Sequence, residues 1–178
     1  MIAALKKKLF LRQFNKLSSS DVKVNGSASN TLSTFTILAS SASNYSIGDV
    51  SHAVSALMQQ SLEGKAFYAL EKGDKVDISP HVEVINEQDY NWYGVPNQSF
   101  LVRWLAARTD ILIVLNPTDS ALLKYLCAVS GCRLKAAINF GQDRDDSVDF
   151  YLSLKDAGSK NPTELCELIL DQLRKIST

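Results

Sequence analysis

The chain has 178 residues, 46% apolar and 21% charged, with 8 Gly and 4 Pro, an ordinary globular composition that excludes collagen, extended disorder and low complexity. A chain of this length buries roughly 70% of its unfolded surface without disulfides or metals, so one self-sufficient core is expected. Basic and acidic residues balance at 19 each, yet residues 1–24 hold six bases (Lys6, Lys7, Lys8, Arg12, Lys16, Lys23) against Asp21 alone. That start of +5 leaves a body of 13 bases and 18 acids, or −5, which repels a phosphate backbone and argues against nucleic acid as a partner.

Residues 2–17 place Ile2, Leu5, Leu9, Phe10, Phe14 and Leu17 near helical spacing, with bases around the rest of the circumference. A basic amphipathic helix is expected. Charges interrupt it, so it is neither a membrane span nor a signal-peptide core. Its basic, Ser-rich character is shared with transit peptides, and a retained helix is the preferred reading. Ser18 to Asn30 is almost devoid of apolar residues and reads as a linker, giving residues 1–30 as arm and linker and 31–178 as one domain.

Thr34 to Ala39, β-branched and aromatic, reads as a strand. Ile47, Val50, Val54, Leu57, Met58 and Leu62 share one face of a helix that Gly64 is expected to stop as a left-handed cap. Lys65 to Leu70 is a second strand. Pro80 and Pro96 break the stretch 71–98, leaving Val82 to Ile85 as an edge strand beside a long loop. Phe100, Leu101, Trp104 and Leu105 form a short helix. Asp110 to Leu115 is an apolar run without alternation, the pattern of a strand buried on both faces at the centre of a sheet.

Asn116-Pro117-Thr118-Asp119 and Asn161-Pro162-Thr163-Glu164 repeat one device, an Asn cap, a Pro at the first helical position and an acid facing the dipole. Each is expected to start a helix, ending at Gly131 and near Ile176. Between those helices, Leu134 to Phe140 and the alternating Val148 to Leu154 read as two strands joined by a polar turn, and an antiparallel hairpin at one edge is expected. Helices alternating with strands argue for a three-layer α/β fold, Rossmann-like, with a largely parallel mixed sheet of about five strands.

Asp89-Tyr90-Asn91-Trp92-Tyr93-Gly94, Asp110 to Asn116 and Leu123 to Lys135 together resemble an uncharacterised family of small Bacteroidetes proteins, over roughly residues 85–176. The resemblance implies a basic N-terminal helix, a Rossmann-like body and no established activity. Asp110 to Lys135 is also locally similar to the first domain of lipopolysaccharide heptosyltransferases. The chain is too short for a second nucleotide-sugar domain of that kind, so the similarity is a clue to fold only.

Open α/β sheets bind ligands beyond the carboxyl ends of their strands, here Ser40 to Asn44, Asn116 to Ser120 and Asn139 to Gln142. Asn91, Trp92, Tyr93, Asn116, Asp119 and Asn139 are the ligand-binding candidates. Trp92 and Tyr93 stand in a polar loop as core packing, a lid or an exposed surface, with core packing the preferred reading. A phosphate at the Asn116 turn is disfavoured by Pro117, which lacks a donor, and by the charge of Asp119. Ser40 to Asn44 reads as a simple turn before an anion cradle. Neither glycine-rich nucleotide motif occurs, no cofactor is expected, and no catalytic residue stands out.

His52 and His81 lack triad or ligand partners and are expected to face solvent. Asp143, Asp145, Asp146 and Asp149 miss the calcium-loop spacing, and Cys127, Cys132 and Cys166 lack a second ligand pair, so no metal is expected. An odd, small cysteine count fits a reducing cytoplasm. The leading expectation is a non-enzymatic cytoplasmic binding or adaptor module. Lys6, Lys7, Lys8, Arg12 and Lys16 would touch the inner face of an anionic membrane, a protein partner, the acidic body or a second copy in a homodimer. The alternative is an enzyme or sensor that binds a nucleotide or sugar phosphate at the strand ends.

Overall fold

The computed structural model describes residues 32–43, 45–71, 73–74, 77–107, 109–115, 120–139, 148–154 and 160–176. Strand β1 (Thr34–Ser40) is followed by helix α1 (Ile47–Gln59), β2 (Glu63–Ala69), β3 (Val82–Ile85) and α2 (Gln98–Ala106). Then come β4 (Ile111–Val114), α3 (Ala121–Val129), β5 (Leu134–Asn139), β6 (Phe150–Ser153) and α4 (Pro162–Ile176). The basic N-terminal segment lies outside the described residues.

The six strands form one sheet in the order β3-β2-β1-β4-β5-β6, and every pairing is parallel. The chain starts in the middle, winds outward to β3, then returns to β4 and winds the other way. That reversal is the Rossmann-like layout, and it places a switch point between β1 and β4. Helices α1 and α4 cover one face and α2 and α3 the other, which gives the three layers expected.

Strand β4 is buried along its whole length, as its unbroken apolar run predicts. Ile111 and Ile113 point to the α1/α4 side, whereas Leu112 and Val114 point to the α2/α3 side, so both faces of one strand supply core. At the N-terminal edge, one carboxylate oxygen of Asp110 accepts from the backbone N–H and hydroxyl of both Ser33 and Thr34, at 2.9–3.0 Å. Burial works to raise its pKa, and these four bonds outweigh burial and bring the carboxyl down to about 2. They fix the register at which β1 meets β4.

Three expectations need correction. The last two strands are not a hairpin: β6 runs parallel to β5. Ten residues separate Asn139 from Phe150, enough chain to span the length of a six-residue strand, about 20 Å. Lys135 N–H donates to the Asp149 carboxylate at 2.8 Å and Asp149 N–H donates to Lys135 O at 2.9 Å, which sets where β6 begins.

Gly64 is not the cap of α1. That helix ends at Gln59 and Ser61 takes the left-handed turn with φ 65°, while Gly64 sits inside β2 opposite Phe35. A Cβ there would lie 2.2 Å from the Phe35 carbonyl oxygen, so the residue is dictated by close strand approach.

Helix α3 starts at Ala121 rather than at Pro117, because the Ser120 hydroxyl accepts from Leu123 N–H at 3.3 Å and is itself a competent cap. Asn116 to Asp119 lie outside the described residues. The matching device before α4 holds as read: Asn161 Oδ1 accepts from Glu164 N–H at 2.9 Å and Pro162 opens the helix.

Candidate functional site

Because all six strands are parallel, their carboxyl ends gather at one edge of the sheet, and the loops that leave them are the natural lining of a site. The first, Ser40 to Ser43, is folded onto its neighbour. Ser41 N–H donates to Ala69 O at 2.9 Å, the Ser41 hydroxyl accepts from Glu71 N–H at 2.9 Å, and the Ser43 N–H and hydroxyl both donate to Ser40 O. The Ser40 side chain is buried on the α2/α3 side, the one buried side-chain polar group among the described residues without a hydrogen-bond partner.

Helix α1 then starts with a reciprocal capping box. Asp49 N–H donates to the Ser46 hydroxyl oxygen at 3.1 Å, while the Ser46 N–H and hydroxyl donate to the Asp49 carboxylate at 2.9 and 2.7 Å. The hydroxyl bond, and after it the backbone bond, hold this carboxyl below its ordinary range. A negative charge thus already occupies the helix dipole where dinucleotide-binding sheets receive a pyrophosphate.

The loop from β3 to α2 is a braced hairpin. Asn91 N–H donates to Val95 O at 2.9 Å, Asn91 Oδ1 accepts from Tyr93 and Val95 N–H at 3.2 and 3.0 Å, and Gly94 turns the chain at φ 86°. Tyr90 bridges Pro96 as an isolated antiparallel pair, and Asn97 N–H donates to Asp89 O at 2.8 Å. The Arg103 guanidinium clamps Glu83 at 2.7 Å and Asp89 at 2.8 Å, tying β3, the loop and α2 together. A Cβ on Gly94 would come within 3.4 Å of the Ala121 side chain, so the loop crosses from the sheet edge to the start of α3. At its tip Trp92 is 55% exposed, with its ring edge-on to Tyr93 at 5.3 Å.

Between this loop and the turn after β2 opens a cleft of about 570 Å³, lined by Leu70, Glu71, Gly73, Asp74, Asn86, Glu87 and Gln88. The Tyr90 hydroxyl donates to Leu70 O at 3.3 Å, joining the two walls. Burial raises the Tyr90 phenol above its ordinary pKa, and the carboxylates of Glu87, Glu71 and Asp89 add to the shift. Among the described residues the lining brings three carboxylates (Glu71, Asp74 and Glu87) and two amides (Asn86 and Gln88) that both donate and accept, beside apolar Leu70. Among the described residues no cluster of His, Cys, Asp and Glu could hold a metal ion. All three cysteines are buried thiols outside any disulfide, and burial, with Glu167 beside it, pushes the Cys166 thiol up to about 12. His52 and His81 are exposed, as expected.

Of the predicted site residues, Asn91, Trp92 and Tyr93 belong to the loop that carries one wall of the cleft. Trp92 faces solvent instead of packing in the core, and Asn91 has a scaffolding role, its side chain folding the turn. Asn139 closes β5, four strand spacings or about 19 Å from β3, and is not part of the cleft. Asn116 and Asp119, and Lys6, Lys7, Lys8, Arg12 and Lys16 of the arm, lie outside the described residues, as do Asp143, Asp145 and Asp146. Sequence reading missed Glu71, Asp74, Asn86, Glu87 and Gln88. The signal was there, since both groups directly follow strands, but the two Pro-containing segments around β3 read as one long loop.

A family model described as a family of unknown function (DUF6913) matches residues 6–168. The chain belongs to this family. The match takes in most of the basic N-terminal segment as well as the α/β body. No curated protein and no solved structure matches the chain. Among the described residues, no helix is long and apolar enough to cross a membrane.

Proposed function

We propose that this chain is a non-enzymatic binding module whose strand-end cleft takes a small uncharged or cationic molecule rich in hydrogen-bond donors. Its basic segment, Lys6, Lys7, Lys8, Arg12 and Lys16, brings the body to an anionic surface or a protein partner in the cytoplasm. The observation that carries the first part is the cleft itself, walled by the braced loop and rimmed by Glu71, Asp74, Asn86, Glu87 and Gln88. Its volume is within the usual range of about 300–1,000 Å³ for small-molecule sites. The charge partition, +5 against −5, supports the second part, at about 1 kcal/mol per base near anionic lipid.

A second reading, a nucleotide- or sugar-phosphate-binding enzyme or sensor, draws support from the strand order and the switch point between β1 and β4. The acid at the start of α1 weighs against it, because a phosphate there would meet Asp49. A thermal-shift panel of uncharged glycosides, nucleosides and polyamines, set against nucleotides and sugar phosphates, separates the two readings. A ligand at about 100 times its Kd adds about 2.7 kcal/mol, which for a chain of this size raises Tm by about 5–10 °C. The first reading expects that rise from an uncharged or cationic compound. A rise with phosphorylated compounds alone gives the second reading, and no rise from any compound rejects the cleft. Sedimentation with anionic vesicles, expected to weaken with salt, tests the basic segment.

A further inference from the structure

The exposed face of α2 is polar at Gln98 and Ser99 and turns apolar in its C-terminal half. Val102 is 62% exposed and Leu105 45% exposed, and with exposed Ala106 they stand at helical spacing i, i+3, i+4, the stripe by which one amphipathic helix packs on another. Among the described residues the other large exposed apolar side chains, Met58, Ile78 and Trp92, are scattered singly over α1 and two loops. The one base on α2, Arg103, spends its charge on Glu83 and Asp89.

The position of α2 says what could cover it. Leu105 borders a crevice shared with Thr36, Ala107 and Thr109 at the N-terminal edge of the sheet. Thr109 bonds the Thr36 hydroxyl at 3.3 Å, and Asp110 holds Ser33 and Thr34. The chain before β1 therefore meets the body beside the C-terminal end of α2. Residues 18–31 can reach about 45 Å when extended, while α2 is only about 14 Å long. The body carries −5 against the arm's +5.

We propose that the basic amphipathic segment of this same chain, residues 2–17, docks its Phe10, Phe14 and Leu17 side, spaced i, i+4, i+7, on the Val102–Leu105–Ala106 stripe of α2. The surface that would enter lipid is then the surface that covers α2, so docking and membrane contact exclude each other. This does not depend on the cleft reading, and it makes the undocked arm the form that reaches an anionic surface.

Trypsin cutting after Lys8, Arg12 and Lys16 in the full chain, followed by mass spectrometry, tests the docking. The expected result is protection that is independent of protein concentration over about a hundredfold range and lost in Val102→Asp/Leu105→Asp, where cutting speeds up about tenfold. That variant leaves every cleavage site unchanged and alters only exposed positions, and unshifted emission from buried Trp104 confirms that it is folded. If it does not fold, Val102→Ser/Leu105→Ser replaces it with the same expectation. Met58→Asp, on the opposite layer, is expected to leave the rate unchanged. Equal rates in wild type and the α2 variant overturn the proposal. So does protection that grows with concentration, which assigns the face to a second copy, and so does protection seen only with phosphatidylglycerol vesicles, which assigns the arm to lipid.

Discussion

Replacing Asp110 by Asn isolates the charge that ties the entry of β1 to the head of β4. The amide keeps the shape and one acceptor oxygen but not the ionisation that the four bonds from Ser33 and Thr34 favour. A carboxyl brought from 3.8 to about 2 corresponds, at 1.36 kcal/mol per unit, to about 2.4 kcal/mol. Solvent screening at this partly exposed position reduces that to about 1 kcal/mol. The folded pKa is depressed, so the contribution is complete above the unfolded value near 3.8 and is lost as pH falls towards about 2. Equilibrium urea unfolding, followed by the emission of buried Trp104, is expected to show Asp110→Asn about 1 kcal/mol less stable at neutral pH, with the gap closing through that window. A variant as stable as wild type at neutral pH, or a gap that persists unchanged into acid, refutes the reasoning.

Gly64→Ala drives a methyl group into the Phe35 carbonyl and ring, at 2.2 and 2.7 Å, and is expected to cost at least about 1–3 kcal/mol, read as a lower urea midpoint. Trp92→Ala removes an exposed ring and is expected to stay within about 0.5 kcal/mol of wild type while shifting the remaining tryptophan emission to the blue, towards that of Trp104. Cys127, Cys132 and Cys166 are buried, so in native protein at neutral pH a thiol reagent is expected to react only at the rate of opening, with all three thiols released at once in denaturant. A fast native reaction would contradict that burial.

The legible parts of the fold were those in which one local pattern has one physical outcome. The unbroken Ile111 to Leu115 run, five residues long and rich in Ile and Val, favours a strand covered on both sides, and Asn161-Pro162-Thr163-Glu164 favours a helix start. The errors arose where a residue answers to a distant neighbour. Gly64 looked like a cap because its true constraint, the Phe35 carbonyl, lies in another strand. The β5–β6 connection looked like a hairpin because direction depends on where the chain returns, and a ten-residue segment permits either.

For the site, the aromatic loop was visible as two large rings in polar surroundings, and Trp92 does face outward. The cleft was not, because its walls come from segments separated by a strand and joined only by the Tyr90 to Leu70 bond. Of the loops that the general rule of strand carboxyl ends singled out, those after β4 and β5 lie outside the described residues, and the cleft seen among the described residues lies at the same edge, beyond β2 and β3.

The most direct measurement is amide NMR of the full chain titrated with the compound that gives the largest thermal shift in the panel. Perturbations concentrated in residues 70–74 and 86–93, and reduced by Glu71→Gln/Glu87→Gln, are the predicted result. Perturbations centred instead on Ser46 to Val50 at the start of α1, unaffected by that double change, would contradict it.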